Sequence, residues 1–245
     1  MIKEVSNGVK NSVYYKSKNI LINFVIYIFL ISVALTCLFP LVWMVSSSLK
    51  TQETVFKDMS LIPKEPHFEN YYLAIKEGDF GRYFLNSIVY TVCVVVGIII
   101  VSSLAAYAFS RFQFPGRNFL FYIFMAAMMI PIPGSFVALY VLLNKLHLRN
   151  TGLGYILCMI NVGLSTSIFL LKTFFDKMPK ELEDAARIDG CSKLGIWRHV
   201  ALPLAKPVLA VVVVFNALNV WNEFILALII FDSKHLMPLQ VALQQ

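Results

Sequence analysis

Five stretches of this chain stay apolar for about the 20 residues that a helix needs to cross a bilayer, and this limits the fold before anything else does. They cover residues 20–46, 84–110, 119–143, 153–171 and 204–231. None alternates apolar and polar residues as a half-lipid-facing strand would. The pattern therefore predicts an all-α, polytopic membrane helical bundle and not a closed barrel. Composition agrees: 58% of the residues are hydrophobic and 14% are charged, where a soluble domain carries about 25% charge. Mean hydropathy is +0.72, and a soluble chain has no way to hide so much apolar surface.

The net charge of +7 does not point to nucleic acid, because the basic residues lie between the apolar blocks and form no stripe. Their distribution reads as topology. With the amino terminus in the cytoplasm, thirteen Lys and Arg residues fall inside and eight outside, the bias expected of a membrane protein. The segment MIKEVSNGVKNSVYYKSK holds four Lys and leads into the first apolar run. That run is too long for a signal-peptide core and no small-residue cleavage site follows, so it is expected to remain as a span. Cys37, Cys93 and Cys158 lie in apolar stretches and Cys191 in a polar one. Without a C-x-x-C pair they predict helix contacts, with no metal site or disulfide framework.

The most informative connection runs DKMPKELEDAARIDGCSKLGIWRHVALPLAKP from Asp176 to Pro207. Pro179 suits a helix start, Glu181, Glu183 and Asp184 favour the positive end of the helix dipole, and Gly190 suits the stop. Leu182, Ala185, Ala186 and Asp189 share one face by their spacing. Ser192 is placed to cap a second short helix through Leu194, Ile196, Trp197 and Val200, which Pro203 is expected to close. Two readings stay open on physics alone. One is a compact projection whose small alanines admit another protein's backbone. The other is a hairpin lying flat on the headgroups, anchored by Trp197.

Here the chain resembles a family. The pattern E-A-A-x-x-x-G-x9-I-x-L-P marks permeases of binding-protein-dependent ABC importers. It appears as Asp184, Ala185, Ala186, Gly190, Val200, Leu202 and Pro203, with Asp for Glu and Val for Ile. Glu183 stands beside it as a candidate sharer of the acidic role. The resemblance implies a type I ABC importer permease fold and a coupling helix that docks in a cleft of a cytoplasmic ATPase. Asp184 would bind polar or basic groups there, Ala185 and Ala186 would permit close contact, Gly190 would make the turn, and Leu202 and Pro203 would fix the return to the membrane. Further fragments resemble the sugar-importer, maltose-type branch: Ser47-Ser48-Leu49-Lys50, Asn70-Tyr71-Tyr72, Phe84-Leu85-Asn86-Ser87, Ile130-Pro131, Asn144-Lys145-Leu146, Asn150-Thr151 and Trp221-Asn222-Glu223-Phe224. Relatives of that branch carry a sixth span. This sequence stops at LQVALQQ, where the connection to it should begin, and truncation is the expected reason.

The resemblance thus implies a subunit of the prokaryotic plasma (inner) membrane. Its expected partners are a second homologous permease, two cytoplasmic ATPase subunits, an external solute-binding protein and the lipid bilayer. ATP and Mg would belong to the ATPase subunits, with no cofactor on this chain. The expected organisation is a cytoplasmic segment at 1–19, a first span at 20–46, an external loop at 47–83, a permease core at 84–231 with its coupling loop at 172–203, and an external segment at 232–245.

Polar residues inside spans are costly and mark pathways or helix contacts. Asn216, Asn219 and Glu223 share a face of the fifth span, with Asn222 adjacent. They read either as the wall of a path for hydroxylated solutes or as hydrogen bonds to a neighbouring helix. Pro131, Pro133 and Gly134 break the third span, with Ser135 next. That break either opens backbone groups to a cavity or is a packing kink. Asn161, Ser165 and Ser167 are further candidates, while Ser102, Ala106 and Ser110 read as a packing ridge. A secondary carrier or channel is the alternative function, but no internal repeat supports it and Glu223 is the lone acidic residue deep in a span. An embedded enzyme is not supported: H-E-x-x-H, G-x-S-x-G and G-x-x-x-x-G-K-[ST] are all absent, so no catalytic residue is expected and ATP must be hydrolysed elsewhere.

Overall fold

The computed structural model describes residues 2–76, 78–129, 134 and 136–244, and the side chains of residues 2–21 lie outside that description. Among the described residues the regular structure is helical, with no strand. The chain divides into two compact units, Met1–Gly78 and Asp79–Gln245.

In the first unit α1 (Ile2–Ser48) contains a stretch, Ile22–Ser48, long and apolar enough to cross a bilayer. After it the chain turns back on itself around Lys50. This ammonium is buried and donates to the carbonyls of Asp58 at 2.6 Å and Ser60 at 2.7 Å. Asn70, at the start of α2 (Glu69–Lys76), donates to the carbonyls of Ser48 and Lys50, both at 3.0 Å. Two separate sequence fragments are thus one hydrogen-bonded corner. Ser60 donates its N–H and hydroxyl to the Asp58 carboxylate, which holds that carboxyl below the usual carboxylate range.

The second unit opens with α3 (Phe80–Arg111) and continues through α4 (Arg117–Ala127), α5 (Phe136–Lys145) and α6 (Gly152–Lys177). A loop of short helices follows: α7 (Glu181–Ile188), α8 (Lys193–Ile196), a π-helical turn at Trp197–Ala201, and α9 (Leu202–Leu204). The chain then bends by 78° into α10 (Lys206–Asn222), α11 (Ile225–Ile230), a 3-10 turn and α12 (Leu239–Ala242).

Among the described residues α3 and α6 are the uninterrupted spans of this unit, and they pack along each other. Lipid is as apolar as a leucine side chain, so close approach of small residues, more than the hydrophobic effect, holds helices together in a bilayer. Ser102 and Ala106 of α3 are accordingly fully buried, as is Ser103, whereas Ser110, the third residue of the expected packing ridge, is half-buried and donates to Asp176. On α6, Gly163 is required because Asn216 Oδ1 of α10 and Ile98 Cδ1 of α3 occupy the space a Cβ would fill. Asn216 itself is buried and donates to Ser167 Oγ at 3.1 Å and to the Val212 carbonyl at 2.8 Å.

The end of the unit away from the loop is clamped by side chains. Tyr90, Tyr155 and Phe231 stack with ring centroids 5.2–5.6 Å apart. Asn86 donates to the carbonyls of His235 and Met237, Tyr90 to that of Leu236, and Ser87 Oγ accepts from Leu239 N–H. Asn150, at φ 56°, accepts from the N–H groups of Asp232 and Ser233 with one oxygen.

Two expected spans are not single helices. The third resolves into α4 and α5, of 11 and 10 residues, each too short to cross alone. Residues 130–133 and 135, between them, lie outside the described residues. The fifth breaks at Glu223, whose backbone is extended and whose Oε1 accepts from Leu226 N–H at 2.7 Å. A carboxylate that caps the next helix competes with continuation of the first.

Gly163→Val should force α10 away from α6, because overpacking a closed contact costs about 1–3 kcal/mol. The expected result is a lower unfolding temperature of the detergent-solubilised protein by scanning fluorimetry. Gly152→Ala is the milder comparison, since an added Cβ there meets the edge of the Tyr90 ring at 3.0 Å, and its unfolding temperature should fall less.

Candidate functional site

The loop between α6 and α10 is built on α7. Its first turn carries Glu181, Glu183 and Asp184, where carboxylates meet the unpaired N–H groups of a helix start. It stops at Gly190, whose φ of +84° favours glycine. Gly190 N–H bonds the Arg187 carbonyl at 3.1 Å and Cys191 N–H bonds that of Ala186 at 3.0 Å, a paired closure of the kind that ends helices at a left-handed residue. Ser192 then caps α8 by accepting from Gly195 N–H. Both expectations for these termini hold.

Pro203 does not close the second helix. The backbone stays helical to Leu204 and the break comes at Ala205, before Lys206-Pro207. Proline lacks an N–H and crowds the preceding turn. The π-helical turn just before it, in which Leu202 N–H reaches back to the Trp197 carbonyl, accommodates that defect. Trp197 packs half-buried against the core.

Neighbouring acidic residues on α7 have different surroundings. Asp184 is exposed and pairs with Arg187 at 2.7 Å. Ala185, Ile188 and Gly190 are exposed with it, as is Leu182. Glu183 is turned inward: its Oε1 lies 2.6 Å from Arg111 Nε, with the side chains 8% and 6% exposed. Tyr107 donates to its other oxygen at 3.2 Å, and Arg111 Nη2 donates to the Met178 carbonyl at 2.6 Å. Glu183 therefore does not share the exposed acidic position of Asp184. Ala186 also faces its own chain, at 9% exposure. Leu202 is half-buried and Pro203 exposed. Sequence reasoning missed Arg111 and Tyr107, which come from a different helix and have no signature but a basic residue ending a span. Removing either charge would leave the other buried, a cost of about 3–5 kcal/mol.

The second feature is a cavity of about 540 Å³ among α4, α5, α6, α10 and α11, within the range of small-molecule sites. Asn161 and Ser165 of α6, one turn apart, reach it from one side, and Asn219 and Glu223 at the end of α10 from another. Thr166, Cys158 and Met159 complete much of the wall. Of the predicted polar residues, Asn161, Asn219 and Glu223 are thus brought together. Asn216 is instead a packing residue against Ser167, and Asn222 is exposed off the cavity with its amide returned to the Leu218 carbonyl at 2.8 Å. Pro131 and Ser135 lie outside the described residues. Thr166 was not anticipated. Its position beside Ser165 was the available signal.

Residues 97–244 match the model of a family described as the binding-protein-dependent transport system inner membrane component. This chain is 38% identical over 218 residues to ORF2 of Caldicellulosiruptor sp., which carries the name of a putative ABC transporter permease protein; the match covers 88% of this chain and 79% of the relative. It is 34% identical over 187 residues to the diacetylchitobiose uptake system permease protein NgcG of Streptomyces coelicolor, covering 76% and 62% of the two chains. It is also similar to a chain in the crystal structure of a bacterial ABC transporter involved in the import of the acidic polysaccharide alginate. That superposition has a TM-score of 0.82 at 27% identity and covers 91% of this chain and 79% of the other.

Gly190→Val should fray the end of α7, since a branched side chain at positive φ costs about 1–2 kcal/mol. Amide exchange at Cys191 should speed up about tenfold, roughly 1.4 kcal/mol being a factor of ten. Exchange in α3 should be unchanged.

Proposed function

Because this chain belongs to the family of binding-protein-dependent transport system inner membrane components, we propose that its loop helix α7 is the docking element for an ATPase and its polar cavity part of a sugar path. The chain is a permease subunit of an ABC importer of the inner membrane, with the type I fold, and is not itself an enzyme. A secondary carrier or channel does not describe a member of this family. Such an importer works with a partner permease, an ATPase and a solute-binding protein.

The finer arrangement is our reading. The amino terminus and the α7 loop lie in the cytoplasm, two ATPase subunits hold ATP and Mg there, and a second homologous permease and an external binding protein complete the complex. The observation that carries docking is the face of α7 on which Asp184, Ala185 and Ile188 are exposed. A small residue between a carboxylate and an exposed isoleucine lets another backbone approach and gives it one charge and one apolar contact. Leu202 and Pro203 act behind this face, in the stiff stretch that ends at the 78° bend. Displacement of α7 passes to α6 through residues 178–180 and to α10 through α8 and α9, a rigid-body transmission of the kind that packed helices support.

A carbohydrate cargo is supported by the cavity lining and by the relatives. Asn161, Ser165, Asn219 and Glu223 give amide, hydroxyl and carboxylate partners for hydroxyl groups, beside apolar wall from Met159 and Leu139. The relatives named for diacetylchitobiose uptake and alginate import handle solutes of that class.

Ala185→Trp should weaken co-purification of the ATPase by about tenfold or more, since a bulky group in a close contact costs about 1–3 kcal/mol. Unchanged ATPase recovery would remove α7 from the interface. Asn219→Leu should lower uptake of radiolabelled oligosaccharides, with diacetylchitobiose as first probe, at an unchanged unfolding temperature. A lower unfolding temperature with unchanged uptake would make Asn219 a packing residue.

A further inference from the structure

Behind the docking face lies a buried contact that docking alone does not require. α7 is joined by the chain to α6 and, through α8 and α9, to α10, but not to α3. The side-chain cluster at Arg111 links it to α3. The guanidinium holds two things at once: the Glu183 carboxylate on α7 and the Met178 carbonyl at the joint between α6 and α7. Tyr107, one turn back on α3, takes the remaining carboxylate oxygen. Ser110, next to Arg111, donates to Asp176 Oδ1 at 2.7 Å, and Lys172 donates to Oδ2 at 2.7 Å. The end of α3 is therefore strapped to α6 by Ser110 and to α7 by Arg111.

A buried ion pair is a weak source of stability, because the desolvation of both charges offsets their attraction and an apolar pair often packs as well. What it supplies is direction and register. The hydrogen bonds from Arg111 to the Met178 carbonyl and from Tyr107 to the Glu183 carboxylate, with the ion contact of Arg111 and Glu183 between them, fix how α7 sits on α3, where an apolar contact would let it slide. Asp184, on the exposed face, is the next residue along from Glu183. A push on one face of this short helix is delivered at once to the other.

We propose that Arg111 and Glu183 form a tether that hands the motion of α7 to α3, making both positioning residues for coupling. This rests on the reading of α7 as the docking helix. Three helices, and not just the two continuous with the loop, then move when the ATPase closes.

The test uses the whole importer in liposomes, with native cysteines replaced and spin labels on two pairs: Leu104→Cys with Val214→Cys, reporting α3 against α10, and Glu181→Cys with Phe169→Cys, reporting α7 against α6. Distances are measured without nucleotide and with ATP plus vanadate. With the tether intact both pairs shift. In the double variant Arg111→Met/Glu183→Gln, which removes both charges together, the α7 pair should still shift and the α3 shift should be lost, with the ATPase still bound. An α3 shift equal to that of the parent in this variant overturns the tether. If the double variant does not accumulate, Glu183→Asp decides, because it keeps the charge but withdraws it by one methylene: a reduced α3 shift supports the tether and an unchanged one overturns it. A parent complex in which the α7 pair does not respond to ATP overturns the docking reading itself, a result distinct from loss of the tether.

Discussion

In hydrocarbon an unpaired backbone N–H or C=O has no water to turn to, and the helices of this chain are interrupted where it can least tolerate that. The structure answers with polar side chains placed at the interruptions. Glu223 caps α11 where the fifth span breaks. Asn150 takes two N–H groups of the turn after α11, Asn86 takes two carbonyls further on, and Arg111 takes the Met178 carbonyl just past the end of α6. All but the bond of Glu223 join segments distant in sequence, so they close the second unit at both ends while α3 and α6 pack through small residues between.

Several polar fragments of the sequence thereby share a common role. Asn86-Ser87, Asn150-Thr151 and the Asn70 that reaches back to Ser48 and Lys50 are backbone-satisfying groups at turns. Each is an ordinary feature of its own sequence window. Their partners lie up to 152 residues away, and only the folded chain reveals that the same few residue types do the same job repeatedly.

The loop shows where legibility ends. Capping at Ser192 and stopping at Gly190 follow from local rules, because cap geometry involves residues within one turn. The division of labour between Glu183 and Asp184 does not. Adjacent residues on a helix are about 100° apart, so one of them must turn away from any given face, and which one depends on what the helix lies against. Arg111, arriving from α3, settled it in favour of Glu183. Likewise Asn216, Asn219 and Glu223 share a helical stripe, yet the neighbour of each differs: α6 closes over Asn216 at Gly163 and stands off from Asn219, leaving space.

Span hydropathy and helix capping are local quantities, so the order of residues is enough to identify a helical membrane protein, the residues that turn and cap its connecting loop, and the family pattern that loop carries. Packing between helices decided that the fifth span breaks at Glu223, that Glu183 belongs to an internal ion pair, and that Asn161, Asn219 and Glu223 meet around one cavity. Those outcomes depend on the distance between helices, which no window along the chain contains.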